Sequence, residues 1–123
     1  MIVDTSVAIE IALQEPDWED LYEQMLTAPE LLMSCGTLQE LMIVGLRKGL
    51  LTEVETLLAH LDLDYVPVTQ TLALKGVELY QRFGKGNRHA AQLNYGDCFA
   101  AATALVYEMP LLYAGKDFQA AGF

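Results

Sequence analysis

The sequence predicts a three-layer α/β/α domain built on a central, mostly parallel sheet of four to five strands. Short apolar runs ending in polar residues, beginning with Met1-Ile2-Val3-Asp4, alternate with longer stretches of helical periodicity. Strands separated by helices run in the same direction, which makes the sheet parallel. Size is the third observation. A chain of 123 residues and 53% hydrophobic content suffices for one domain over 1–123 with a real core, and is too short for two.

Ile2-Val3 forms the first strand, which is buried only if later strands flank it. The segment from Ser6 to Leu13 is a short apolar helix, closed by Glu15-Pro16-Asp17, and Pro16 suits the first turn of the next helix. From Trp18 to Leu26, Trp18, Leu21, Tyr22, Met25 and Leu26 recur at helical spacing opposite Glu19, Asp20, Glu23 and Gln24. Leu31 to Ser34 is the second strand. Thr37-Leu38-Gln39-Glu40 matches a capping box and opens a helix that is apolar nearly all round, and therefore central, before Arg47-Lys48-Gly49 stops it. A second box, Thr52 to Glu55, starts a helix whose Val54, Leu57, Leu58 and Leu61 share a face, so the two helices form a hairpin.

Leu63 to Val68 is the third strand, with Pro67 placing it at an edge or near its own end. Thr69 caps a helix with Leu72, Ala73, Gly76, Leu79, Tyr80 and Phe83 on one stripe. The stretch Lys85 to Leu93 is polar and locally basic and reads as a mobile loop. Asn94 caps a buried, alanine-rich helix reaching Glu108, followed by a fourth strand at Pro110 to Tyr113 and a turn through Asp117.

A net charge of −10 excludes a broad basic surface for gripping nucleic acid. It leaves open an enzyme whose clustered acids hold divalent cations, which can in turn accept a phosphate. Cys35 and Cys98 are far apart without ligand spacing, so both are expected to be buried, reduced thiols. With no signal-like start and no apolar run near the roughly 20 residues of a membrane span, a cytoplasmic protein is expected.

Four acids fall where strand ends and helix starts meet: Asp4, Glu40, Asp97 and Asp117. Oxygen ligands from several elements are what Mg²⁺ or Mn²⁺ requires. Taken singly, each acid is more readily a helix cap than a ligand, because exposed N–H groups and the helix dipole favour a carboxylate there. Their joint placement makes an acidic metal site possible. Thr5 and Ser6 can bond a carboxylate or cap the turn. Thr103 is by default a core threonine bonded to its own helix, with a role behind the metal site as the alternative. Lys85 and Arg88 can guide phosphate or simply solvate a loop. No Gly-rich phosphate loop, serine triad or Cys/His dyad is present.

At these residues the chain resembles the PIN-domain ribonucleases, and within them the VapC toxins of type II toxin–antitoxin pairs. The resemblance covers essentially the whole chain. It rests on Met1 to Ser6, Thr37 to Leu41, Leu93 to Ala104 and Leu111 to Phe118, with Asn94-Tyr95-Gly96-Asp97-Cys98-Phe99-Ala100 the most specific. It implies an endoribonuclease dependent on Mg²⁺ or Mn²⁺, a homodimer, and a small VapB antitoxin that covers the site. By position it makes Asp4, Glu40 and Asp97 the metal-binding acids. Many relatives carry an acid or asparagine where this chain has Gly115, so Asp117 stands in for that group or supports it. Two other readings differ in class: a PIN-like binding module with weak catalysis in a regulatory complex, and a receiver domain. The receiver is disfavoured because Pro67-Val68-Thr69 offers no phosphoacceptor aspartate.

Overall fold

In the computed structural model, which describes residues 1–123, four parallel strands form one sheet in the order β3-β2-β1-β4. The strands are β1 (Ile2–Val3), β2 (Leu32–Ser34), β3 (Asp64–Val66) and β4 (Leu111–Leu112). Seven helices connect or follow them: α1 (Thr5–Ala12), α2 (Trp18–Thr27), α3 (Cys35–Lys48), α4 (Leu51–His60), α5 (Gln70–Phe83), α6 (Asp97–Tyr107) and α7 (Asp117–Ala120). None is long and apolar enough to cross a membrane.

Strand alternation produces the three layers. Val3, Met33 and Leu112 point to one face, into a core with α1 to α4 that includes the fully buried Val7, Leu41 and Val54. Ile2, Leu32 and Val66 point to the other, against Ala104 of α6, while Leu72, Leu79, Phe83, Leu93 and Ala101 close that layer. Each fully buried Val, Leu or Ile stabilises by about 1.5–3 kcal/mol, so both faces hold the short strands firmly. The chain moves outward from β1 to β2 to β3, then returns to the other side of β1 at β4. The carboxyl end of β1 is therefore the switch point where crevices form in open α/β sheets.

Local details depart from the sequence expectations. The sheet has four strands, within the expected four to five, and β3 occupies an edge with Pro67 just beyond it, as expected; the departures lie in the helices. Neither Thr37 nor Thr52 caps a helix. Ser34, still extended from β2 (φ −61°, ψ 140°), accepts the Gly36 N–H at 3.1 Å, so α3 starts at Cys35 with Thr37 already inside it. The cap of α4 is Leu50, without a side-chain hydrogen bond. Nor is α3 buried all round: Leu41 and Gly45 face the core while Ile43 and Leu46 are exposed. Gly49 ends it at φ 69°, a conformation open to glycine, and Leu50 N–H closes back on Gly45 O at 2.8 Å. On α5, Ala73 and Tyr80 are exposed beside the buried Leu72, Leu79 and Phe83.

The segment from Lys85 to Leu93 is tied down rather than free. Asn87 donates to Tyr80 O and Gln81 O, satisfying carbonyls at the end of α5. The Gln92 amide accepts from Gly86 N–H and donates to Asn87 O and His89 O. Cys98 is buried, but Cys35, at the first position of α3, is exposed; both are free thiols.

Candidate active site

Asp4 follows β1 in extended conformation, its N–H bonded to Leu112 O at 3.1 Å, and its side chain caps α1. Oδ2 accepts from Ser6 N–H at 3.0 Å and from the Ser6 hydroxyl at 2.7 Å. The other oxygen, Oδ1, is buried without any hydrogen-bond partner, and the residue is only 1% exposed. A buried carboxylate oxygen left unpaired is costly, so it marks a place where a further group belongs. Ser6 Oγ also accepts the Ala114 N–H at 3.0 Å. One hydroxyl thus joins Asp4 to the turn that follows β4 and leads to Asp117.

Glu40 lies in the second turn of α3, clear of the helix's exposed N–H groups, because that helix starts at Cys35. Its Oε1 accepts the Thr5 hydroxyl at 2.6 Å, and its carboxylate rests against Gly96 so closely that a Cβ there would overlap it. Asp97 and Asn94 form the reciprocal cap that the sequence pattern at Thr37 imitates. Asn94 Oδ1 accepts Asp97 N–H at 2.8 Å, and Asp97 Oδ2 accepts Asn94 N–H at 2.9 Å. Asp97 is therefore both a cap and a member of the acid cluster. Asp117, exposed at the start of α7, is near enough for its charge to act on Asp97.

Burial pushes the Asp97 carboxyl up to about 7; the Asn94 N–H opposes this, and the charges of Asp4, Glu40 and Asp117 add to it. Asp4 is raised by burial despite its hydrogen bonds to Ser6, and Glu40 by burial and by Asp4, against the Thr5 hydroxyl. No basic side chain forms an ion pair with any of the four; the chain's one ion pair, Lys75–Glu78 at 2.8 Å, is on α5. The donor set, all carboxylate and short of positive charge, suits a hard divalent cation. No three of these side chains close into a preformed metal cage.

The other candidate residues separate clearly. Thr5 and Ser6 each hold one acid. Thr103 does not reach the acids: its hydroxyl donates to Phe99 O at 2.7 Å in its own helix, the usual recourse of a buried threonine. Lys85 and Arg88 are exposed on the tied loop and bond none of the acids. Gly115 has φ 91°, a conformation that side chains rarely adopt, and the turn presents its carboxylate two residues later at Asp117. Sequence reasoning missed Gly96, the seat of the Glu40 carboxylate. Its only signal was a glycine just before the helix when Asn94 already supplied the cap.

A divalent cation held by these carboxylates would compete with protons for the same oxygens. Asp97 has a folded pKa of about 7 against an ordinary value of 3.8. Below the lower value both states are protonated and its contribution to stability is full; it is lost as pH rises through the upper one. Mn²⁺ is accordingly expected to raise the melting temperature of the chelator-treated protein, and by more at about pH 8 than at about pH 5.5. Thermal unfolding at both pH values checks this, and equal shifts would contradict it.

The PIN domain family model matches residues 1–123. Ribonuclease VapC of Mycolicibacterium smegmatis is 37% identical over 124 residues, spanning 97% of this chain and 94% of its own. Ribonuclease VapC30 of Mycobacterium tuberculosis is 36% identical over 123 residues, spanning 97% and 92%. Among solved structures, M. tuberculosis VapC20, described as a sarcin-ricin loop cleaving toxin, superposes with a TM-score of 0.77 at 19% identity, over 99% of this chain and 95% of that one. VapBC2 of Rickettsia felis, solved with a fragment of promoter DNA, has a TM-score of 0.68 at 14% identity, over 98% and 92%. At such identities the superpositions carry the fold alone.

Proposed function

Because this chain belongs to the PIN-domain family, alongside the VapC ribonucleases, we propose that it is the toxin of a VapBC pair and hydrolyses RNA phosphodiester bonds. One observation carries the reading. The carboxylates that follow β1, lie in α3, open α6 and follow β4 are near enough to act on one another's charge and have no cationic partner, and Asp4 keeps one buried oxygen unbonded. Asp4, Glu40 and Asp97 would hold Mg²⁺ or Mn²⁺, with Asp117 on the exposed side.

When bound, such a cation neutralises phosphate charge and lowers the pKa of a coordinated water, making a nucleophile. The chain's own residues fix the ligands. Thr5 restrains Glu40, Ser6 restrains Asp4, and the Asn94 cap orients Asp97. Lys85 and Arg88 are the loop cations available to approaching RNA. A VapB-like antitoxin that covers the acids, a homodimer and a cytoplasmic setting complete the proposal; they rest on the relatives and the family resemblance.

The test is cleavage of single-stranded RNA by antitoxin-free protein with Mn²⁺ and with chelator. Cleavage that persists in chelator overturns the mechanism. Metal binding without cleavage of any RNA favours the second reading, a PIN-like binding module.

A further inference from the structure

Tyr95 is 79% exposed, more than any other large apolar side chain of the protein. Exposure alone is ordinary, but here the ring is firmly seated. Its backbone lies inside the Asn94–Asp97 reciprocal cap. Its ring and that of Phe99 form an edge-to-face pair, with centroids 5.2 Å apart and planes at 82°. Phe99 in turn packs onto Gly36 so closely that no Cβ fits there. The Tyr95 hydroxyl makes no hydrogen bond in the protein, so the Phe99 contact accounts for the ring's seat but not for its polar end.

Beside the ring is a cleft of about 220 Å³ between α3 and the start of α6. Tyr95 and Phe99 form its aromatic side, Gly36 and Gly96 let Phe99 and the Glu40 carboxylate pack close against the backbone, Gln39 is exposed along it, and Glu40 of the acid cluster also lines it. Single-stranded RNA is held chiefly by stacking unpaired bases on aromatic rings and bonding their edges to polar side chains. Resting on the ribonuclease reading, the geometry points to Tyr95 as a positioning residue: it stacks a base of the RNA strand next to the scissile phosphate, with the Gln39 amide facing the edge of that base. Because Glu40 belongs to both the cleft and the acid cluster, a base seated there delivers its own phosphate to the carboxylates. A chain of net charge −10 gains little from backbone attraction, and a sequence-tolerant stacking contact compensates for that.

The experiment compares Tyr95→Ala and Tyr95→Phe with the unaltered protein, free of antitoxin and with Mn²⁺, on a single-stranded RNA whose cut site has been mapped. Tyr95→Ala is expected to raise KM by about ten-fold or more with kcat within about two-fold, and Tyr95→Phe to keep the original KM. RNA carrying one abasic nucleotide next to the cut should weaken the unaltered protein and leave Tyr95→Ala unaffected. An unchanged KM in Tyr95→Ala overturns the proposal. So does a Tyr95→Phe variant as poor as Tyr95→Ala, which would assign the effect to the hydroxyl. A KM change that tracks loss of a dimer by light scattering also overturns it, since the ring would then seat a second copy. If the protein binds labelled RNA without cutting it, the ribonuclease reading fails, while the same Tyr95 dependence of Kd upholds the stacking contact. No RNA binding overturns both.

Discussion

Asp97→Asn is expected to abolish metal-dependent RNA cleavage and, in chelator at about pH 8, to raise the melting temperature. The two effects have one cause. Asp97 is partly buried beside three other carboxylates, and this raises it to about 7, so above that pH the folded protein confines a charge it would rather protonate. Asparagine removes the charge and keeps an acceptor for the Asn94 N–H, so the start of α6 stays capped. A gain of 1 kcal/mol corresponds to about 3–6 °C for a domain of this size. Activity should fall by more than the roughly 10- to 100-fold typical of losing a group that only orients a ligand. Calorimetry and RNA cleavage on the same purified sample check both halves. A variant that is inactive and also less stable would show that Asp97 serves mainly as a cap.

Gly96→Ala should cost about 10- to 100-fold in cleavage with little change in secondary structure. Position 96 already has helical angles (φ −64°, ψ −38°), so alanine is no backbone burden and would ordinarily stabilise by about 0.4–1 kcal/mol. The new methyl group instead collides with the Glu40 carboxylate. Glu40 must then swing away and lose its hydrogen bond from Thr5. The double variant separates the causes: on a Glu40→Ala background, Gly96→Ala should be neutral or stabilising, since its target is gone. A penalty that persists in the double variant would place the fault in α6 itself.

Much of the fold could be read because burial imposes a periodicity that sequence retains. Ile2 and Val3 alternate between two cores, and Val54, Leu57 and Leu58 keep one face of α4 inward. Helix starts were harder. The Ser/Thr-x-x-Glu pattern occurs at Thr37 and Thr52 and is used at neither, because a cap forms only where the backbone is still extended, as at Ser34. Within the acid cluster, chain order suggested where Asp4, Glu40, Asp97 and Asp117 fall, but not what touches them. The Ser6 bond to Asp4 is local, but the bond from Thr5 to Glu40 spans 35 positions and that from the Ala114 N–H to Ser6 spans 108, and no local pattern records such separations. The order of the loop from Lys85 to Leu93 escaped notice similarly, since it depends on where two amide side chains, Asn87 and Gln92, find carbonyls.

The sheet's exposed margin has a consequence for behaviour at high concentration. β3 is three residues long, and Pro67, which has no N–H to offer, follows it directly. The margin at β4 is two residues long. A foreign strand that docked on either edge would find too few backbone partners to propagate, and at β3 it would also meet Asp64. These edges are thus guarded against self-templated aggregation chiefly by brevity, with Pro67 and Asp64 adding to it at β3.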